Sequence, residues 1–169
     1  VALKKRLEAG PKAGLPEPFA RWFASRGWRP CAHQLQLLDL AREGRDTLLI
    51  APTGGGKTLA GFLPSLVDLN LRGAKPQAGI HTLYISPLKA LAVDIARNLG
   101  EPVAEMGLPI TLETRTGDTP ASRRQRQRLR PPDILLTTPE QIALMLSHRD
   151  AASLFGSLRM VIIDELHAL

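Results

Sequence analysis

The segment APTGGGKT, at residues 51–58, constrains the fold more than any other part of the sequence. It follows an apolar run at residues 46–51, which we predict as a buried strand, and it precedes a predicted helix at residues 56–71. Glycines let several backbone N–H groups converge on one phosphate, and the helix N-terminus adds its positive dipole end. The segment therefore predicts a phosphate-binding P-loop within a strand–loop–helix unit, which is the context that this motif requires.

The rest of the chain alternates between apolar runs and helical patterns. Further strands are predicted at residues 81–85, 110–114, 133–137 and 160–163. Helices are predicted at residues 17–25, 31–42, 88–99, 122–129 and 140–147, with Gly100 ending the helix at 88–99. Continuous apolar strands that alternate with helices are typical of a parallel sheet covered on both faces. We therefore predict an α/β fold, with a single domain at residues 19–169 after an arm or linker at residues 1–18.

Length and composition exclude several classes of protein. The chain has 169 residues, 44% of them hydrophobic and 22% charged, as expected for one globular domain. No apolar run is long enough to span a membrane, and no signal-peptide pattern opens the chain. A single cysteine, Cys31, excludes an internal disulfide and fits a reducing, cytoplasmic compartment. Because Val1 opens the sequence, we expect a trimmed or partial chain.

The two residues that end the P-loop have the chemistry of nucleotide hydrolysis. Lys57 can reach the β- and γ-phosphates, and the Thr58 hydroxyl can ligate Mg²⁺. Ala51 stands where the P-loop pattern has its first glycine. A structural glycine turn is the alternative interpretation. A dinucleotide-binding loop is disfavoured because no third glycine stands three residues after Gly56, which is followed instead by Lys57 and Thr58.

A second motif, which is acidic, follows the last predicted strand. Asp164-Glu165-Leu166-His167 comes directly after the apolar run at residues 160–163. At the carboxyl end of a parallel strand, Asp164 can hold Mg²⁺ and Glu165 can activate the attacking water. Two acidic residues after a strand are more often a solvated strand end, and His167 by itself is more often a surface histidine. Together with the P-loop, however, the motif predicts ATP hydrolysis.

These motifs together resemble the first RecA-like domain of superfamily 2 DExH-box helicases. Three intermediate segments agree in order and spacing: SPLKAL at residues 86–91, TGD at 116–118 and TTPE at 137–140. Gln34 resembles the glutamine that reads adenine in these enzymes, and Trp28 lies where an aromatic ring often packs on the base. The amino-acid sequences of these motifs are most similar to those of the Lhr type (large helicase-related), in particular its ligase-associated bacterial group.

The resemblance implies roles for individual residues. The catalytic residues would be Lys57, Asp164, Glu165 and His167. The Mg²⁺ ligands would be Thr58 and Asp164. The ATP-binding residues would be Trp28, Gln34, Thr53, Gly54, Gly55, Gly56, Lys57 and Thr58. The nucleic-acid contacts would be Pro87, Leu88, Lys89, Thr116, Gly117, Asp118, Thr138, Pro139 and Glu140.

The resemblance also implies what the intact enzyme does. We expect ATP and Mg²⁺ as ligands, single-stranded or partly duplex DNA as the track (RNA being possible), and 3′-to-5′ unwinding in DNA repair. We expect a second RecA-like domain in cis, DNA ligase or nuclease partners, and a bacterial, nucleoid-associated protein. In RecA-like sheets, the strand after DExH lies between the P-loop strand and the DExH strand. The chain is therefore expected to lack an interior strand and to be inactive alone.

Several alternatives remain at this point. The chain could bind nucleotide and DNA without turnover, or it could belong to another P-loop class such as a kinase or GTPase. The pairs Ser86-Pro87 and Thr138-Pro139 could simply begin helices, each as an N-cap followed by N1. Five arginines within residues 123–130 form either a solvated helix or a guide for the nucleic-acid backbone. The net charge of +6 is compatible with a polyanionic partner.

Overall fold

The computed structural model describes residues 14–51, 54–73 and 79–168. They form two compact units, and the boundary between them falls after Val67, inside a helix. Thr53 and most of the predicted turn at residues 73–79 lie outside the described residues.

The first unit contains short helices ahead of the P-loop. Helix α1 spans Phe19–Ser25, α2 spans Ala32–Arg42, and α3, Lys57–Arg72, begins directly after the glycines and runs across the boundary. Helix α2 begins with a capping box, in which the backbone N–H of Cys31 donates to the side-chain oxygen of Gln34. It is followed by Gly44 at φ +66°, a backbone angle that favours glycine.

The predicted strand at residues 46–51 does not form in this structure. These residues have no regular secondary structure, and Leu48 and Ile50 are 66% and 86% exposed. A strand needs a neighbour for its N–H and C=O groups, and no described residue pairs with this run.

The second unit is built on a four-stranded parallel sheet. Its strands are β1 (Thr82–Ile85), β2 (Leu112–Arg115), β3 (Ile134–Thr137) and β4 (Met160–Ile163), in the order β2-β3-β1-β4. Strands β1 and β3 lie inside the sheet and are almost entirely buried, whereas β4 is an edge strand with alternate residues exposed. The predicted α/β class with a parallel sheet is confirmed.

Four helices connect these strands or follow them. They are α4 (Lys89–Glu105), α5 (Ala121–Leu129), α6 (Pro139–Leu146) and α7 (Ala151–Phe155), and a 3₁₀ turn, Leu166–Ala168, follows β4. The sequence did not predict α7. The prediction that Gly100 ends its helix is wrong, because the buried stripe continues from Leu99 to Val103. The helix ends at Glu105 instead, and Gly107, just after the C-cap residue Met106, has a φ of +63°.

The core of the second unit lies between β1, β3 and the helices that follow them. Ile80, Leu83, Leu135, Met145 and Leu154 form one buried cluster. This cluster fixes the inner strands, so the loops at their carboxyl ends start from a rigid base. Within the described part of the chain, no helix has the length and apolar character needed to cross a membrane.

Candidate functional site

The P-loop has the backbone that a phosphate-binding loop needs. Gly54 and Gly56 have φ angles of +79° and +70°, which side-chain-bearing residues rarely adopt. A Cβ at Gly56 would lie 2.9 Å from Nε2 of Gln34, at the end of a side chain that can move aside, so the backbone angle is what favours glycine at this position. The ammonium group of Lys57 donates to the carbonyl of Ala51 at 2.7 Å, which joins the two ends of the loop.

Gln34 connects helix α2 to the P-loop. Its Oε1 accepts the backbone N–H of Cys31 at 2.9 Å, and its Nε2 makes a long hydrogen bond of 3.4 Å to the carbonyl of Gly56. The side chain is 4% exposed. Adenine recognition by Gln34 stays a prediction, and it requires at least one of these two bonds to be exchanged or shared.

Trp28 is half-exposed and held by a small aromatic and cationic cluster. Its ring packs edge-on against Trp22, with centroids 5.7 Å apart, and the guanidinium of Arg26 lies 5.1 Å from the Trp28 centroid. Such contacts restrain the ring while leaving part of its surface open. Packing on a nucleotide base remains a prediction for Trp28.

Asp164 has both carboxylate oxygens held in place. The hydroxyl of Tyr84 donates to Oδ2 at 2.6 Å, and the backbone N–H of Glu165 donates to Oδ1 at 3.0 Å. The backbone N–H of Asp164 donates to Ile85, which continues the pairing of β4 with β1. Burial, followed by the hydrogen bond to Asp164, raises the pKa of Tyr84 well above its ordinary value, so the hydroxyl stays a donor.

Sequence reasoning missed Tyr84. It is the only tyrosine of the chain, it lies in β1 and it is almost fully buried. A tyrosine in an otherwise apolar strand is a signal, because a buried hydroxyl needs a partner. The partner itself, eighty positions later in the sequence, could not be read from that signal.

Glu165 and His167 are on the surface beside Asp164. Glu165 has a φ of +48°, the only left-handed angle at a non-glycine position among the described residues. Such a backbone is costly, and at a non-glycine residue it often marks a functional position. The His167 ring lies 3.4 Å from the Glu165 carboxylate, with 79% and 49% of the two side chains exposed.

The three intermediate motifs lie at the same edge of the sheet. SPLKAL follows β1, TGD follows β2, and TTPE begins at the last residue of β3. Thr137 is paired with both Ile85 and Arg115, so the ends of these three parallel strands are adjacent. Asp164 follows β4, which is paired with β1, and therefore lies at this edge too. Because the strands are parallel, the three intermediate motifs and Asp164 all follow the carboxyl ends of neighbouring strands.

The surface of this edge differs in detail from the prediction. Thr116 and Thr138 are each 6% exposed, so their hydroxyls are largely covered, whereas Leu88, Lys89, Gly117, Asp118 and Glu140 are exposed. The ammonium group of Lys89 lies 2.6 Å from the carboxylate of Asp118, which offsets its charge.

The two helix-start interpretations have different outcomes. Pro139 is the first residue of α6 with Thr138 as its N-cap, as expected, although no side-chain capping bond forms. The same interpretation of Ser86-Pro87 is wrong, since α4 begins at Lys89 with Leu88 as N-cap. The Ser86 hydroxyl accepts the Leu88 N–H at 3.4 Å in a local turn and so does not cap the helix.

Four of the five arginines within residues 123–130 bond to other residues of the chain. Arg123 and Arg126 both bind the carboxylate of Glu113, at 3.2 and 2.7 Å. Burial would raise the pKa of Glu113, but its hydrogen bonds with Gln127 and the two arginines outweigh burial and lower it. Part of the run therefore fixes α5 to β2, and the role of the remaining arginines as a nucleic-acid guide stays a prediction.

Comparison with known proteins assigns the family. The family model described as DEAD/DEAH box helicase matches residues 31–169, which include the P-loop, the intermediate motifs and DELH. The chain belongs to the DEAD/DEAH box helicase family. This membership confirms the resemblance that the motifs predicted.

Curated relatives of this helicase domain carry the Lhr name. The Lhr helicase/probable uracil glycosylase of Mycolicibacterium smegmatis is 46% identical over 158 residues, which cover 88% of this chain and 10% of the relative. The Lhr helicase/uracil glycosylase of Escherichia coli is 40% identical, covering 94% and 12%. The ATP-dependent helicase Lhr-Core of Methanocaldococcus jannaschii is 38% identical, covering 92% and 20%. The resemblance to the Lhr type is confirmed, over a small part of each relative.

Solved helicase structures have the same fold. The structure of Mycobacterium smegmatis helicase Lhr bound to ssDNA and AMP-PNP matches with a TM-score of 0.80 and 42% identity, covering 95% of this chain and 21% of that one. The DUF1998 helicase MrfA bound to DNA and AMPPNP matches with a TM-score of 0.79 and 32% identity, covering 90% and 21%. These matches confirm the RecA-like α/β fold.

Proposed function

We propose that this chain is the ATP-binding half of an ATP-dependent DNA helicase of the Lhr type. The observation that supports the proposal is the local structure of each hydrolysis motif: Gly54 and Gly56 have left-handed backbone before Lys57, and Asp164 is held through both oxygens at a strand end. The Lhr and MrfA structures, each with DNA and an ATP analogue, support the same chemistry here.

ATP is the proposed nucleotide, and Mg²⁺ is the proposed metal. The donor set fits: the Thr58 hydroxyl and the Asp164 carboxylate are hard oxygen ligands, and Mg²⁺ at phosphate sites takes few protein ligands. Within the described residues, no cluster of three or more His, Cys, Asp or Glu side chains suggests a different metal. When bound, Mg²⁺ would neutralise charge on the β- and γ-phosphates.

Four residues of the chain have separate proposed roles in ATP hydrolysis. Lys57 stabilises the charge on the γ-phosphate, and Glu165 accepts a proton from the attacking water. Tyr84 holds the Asp164 carboxylate in one orientation from inside the sheet. His167, beside the Glu165 carboxylate, is positioned to orient it.

Single-stranded DNA is the proposed track, held against the edge formed by the three intermediate motifs. Backbone groups and small residues at helix N-termini suit phosphate contacts, which position a strand without reading its sequence. We further propose 3′-to-5′ translocation, a second RecA-like domain in cis, a role in DNA repair with ligase or nuclease partners, and a bacterial, cytoplasmic, nucleoid-associated location.

DNA-stimulated ATPase activity tests the proposed function. We expect the full-length enzyme to hydrolyse ATP faster with single-stranded DNA than without it, and faster than with single-stranded RNA. GTP should be a poorer substrate if Gln34 reads adenine. Partial duplexes with a single-stranded 3′ or 5′ tail then test the direction, and only the 3′-tailed duplex should be unwound.

A binding module without turnover is the second candidate. The observation that favours it for this chain alone is the exposed, unpaired run at residues 46–51, which leaves the P-loop without a strand behind it. Comparing ATP hydrolysis by this chain and by the full-length enzyme separates the two. Binding without hydrolysis in both proteins would make the chain a module that senses nucleotide.

A further inference from the structure

A charged cleft lies between helices α5 and α6 of the second unit, and its lining includes no residue of the P-loop or of DELH. Its volume is about 640 Å³, and its polar wall consists of Arg115, Arg124, Gln125, Arg128, His148 and Asp150. Arg115 is the last residue of β2, and its side chain is on the face of the strand that α5 covers, as is Glu113 two residues before. The cleft therefore has a guanidinium group in its floor.

Arg115 is the unusual residue of this cleft. It is 4% exposed, and its buried Nε atom has no hydrogen-bond partner among residues 14–51, 54–73 and 79–168. A buried N–H of a charged group is costly without a hydrogen-bond partner, because it has lost its water, and the charge of Asp150 attracts the Arg115 guanidinium without bonding this atom. Glu113, the nearest acidic residue on the same strand face, is already bonded to Arg123 and Arg126.

Two more arginines line the cleft from α5. Arg124 and Arg128 lie four residues apart and so share one helix face. Arg124 donates from Nε to the carbonyl of Thr119 at 2.6 Å and from NH2 to that of Gly117 at 3.1 Å, which fixes its position. Arg128 binds the carboxylate of Asp150 at 2.6 Å.

The charges of the cleft do not balance. Asp150 is the only acidic residue in its wall, so three guanidinium groups and one carboxylate leave a net charge of +2 with His148 counted as neutral. Burial, followed by repulsion from Arg124 and Arg128, lowers the pKa of Arg115. An anion bound in the cleft would relieve this repulsion and provide the partner that Nε lacks.

We propose that this cleft binds a phosphate group, with Arg115 as the principal ligand and Arg124 and Arg128 beside it. Guanidinium groups suit phosphate because their N–H groups form a planar fork that bonds two oxygens at once. The excess positive charge favours an anion, either a backbone phosphodiester of charge about −1 or a phosphate monoester of about −2.

Two sources could supply this phosphate: the backbone of a nucleic-acid strand, or a free phosphate-bearing molecule. Arg124 joins the cleft to Gly117, which belongs to one of the predicted nucleic-acid motifs, so the backbone is the better-supported source. Phosphate binding itself does not depend on the proposed helicase function; only the assignment to nucleic acid does.

Inorganic phosphate is the first probe. Binding is measured by calorimetry on the full-length enzyme with saturating Mg²⁺ and AMP-PNP, which keeps the P-loop filled. We expect wild-type binding to fall at least tenfold in Arg115→Gln. Asp150→Asn, which removes the competing carboxylate, should bind more tightly than wild type. Arg123→Gln is the matched control, because it removes the same charge from a nearby residue of α5 that does not line the cleft, and it should bind as wild type does.

Single-stranded DNA is the second probe and identifies the source. Its affinity is measured by fluorescence anisotropy at several salt concentrations. Loss of one backbone contact should make the logarithmic salt slope shallower by about 0.7 in Arg115→Gln. Altered phosphate binding with an unchanged DNA slope assigns the cleft to a free phosphate-bearing molecule. An unchanged ATPase rate without DNA shows that the P-loop and DELH are intact, so this test and that of the proposed function fail separately.

Two further variants guard against misfolding of Arg115→Gln. Arg115→Lys keeps the charge but lacks the fork, so it should bind phosphate more weakly than wild type and better than the glutamine variant. Asp150→Asn changes a residue at the surface and predicts a gain, which misfolding cannot imitate. Unchanged phosphate binding in Arg115→Lys and Asp150→Asn, or no measurable binding by the wild-type enzyme, overturns the proposal.

Discussion

Two apolar runs precede the two ATP motifs, and only one of them is a strand. Residues Met160–Ile163 form β4, paired along their length with β1, and they deliver Asp164 to a fixed place. Residues 46–51 have no sheet partner, and Leu48 and Ile50 are exposed. The P-loop that follows is held by the bonds Lys57–Ala51 and Gln34–Gly56.

The difference shows where preorganisation comes from. The glycines and the helix that follows them define the phosphate loop locally, whereas the acidic motif takes its geometry from long-range pairing and from Tyr84. We therefore expect changes at the acidic motif to affect the rate of hydrolysis, and changes around the P-loop to affect nucleotide binding as well.

The largest effect is expected for Glu165→Gln in the full-length enzyme. The change keeps the size of the side chain but removes the general base, so DNA-stimulated kcat should fall about 10²- to 10⁴-fold. ATP and DNA affinities should remain close to wild type, and Glu101→Gln, on exposed α4 surface, should be unaffected. An equal loss of ATP affinity would make Glu165 a structural residue or a metal ligand.

Lys57→Ala tests the role of the P-loop in nucleotide binding and hydrolysis. The ammonium group stabilises the γ-phosphate, so kcat/KM for ATP should fall about 10²- to 10³-fold, in part through weaker binding. Nucleotide binding is measured with a fluorescent ATP analogue. Lys89→Ala is the control, because it should leave ATP binding unchanged. Normal ATPase activity in Lys57→Ala would exclude the proposed role.

Tyr84→Phe tests whether the hydrogen bond from Tyr84 positions Asp164 after β4. It removes the hydrogen bond to Asp164 and keeps the ring in the core, so kcat should fall about 10- to 100-fold, as is usual for partners that orient metal ligands. The Mg²⁺ concentration for half-maximal rate should rise, a change that a purely structural role of Tyr84 would not produce. Thermal unfolding checks the core, and an unchanged rate and Mg²⁺ dependence would refute the positioning role.

Gln34→Ala has the smallest expected effect. The side chain joins the start of α2 to the P-loop through one good and one long hydrogen bond. Loss of about 1 kcal/mol corresponds to a roughly fivefold weaker ATP affinity. Preference for ATP over GTP should also decrease if the amide reads adenine. Gln36→Ala, on the same helix, is the control. Equal ATP affinity and equal preference for ATP over GTP in the two variants would show that Gln34 does not contribute to the nucleotide site.

Local patterns in the sequence determined the α/β class, the P-loop, the DELH motif and the order of the motifs between them, because each depends on neighbouring residues. Tertiary structure alone decided three matters. The run at residues 46–51 has the composition of a strand but no partner, and β pairing is not a local property. Tyr84 and Asp164 meet only because β1 and β4 are adjacent. Helix α4 continues past Gly100 to Glu105, because Val103 is buried, and the glycine that follows its end is Gly107.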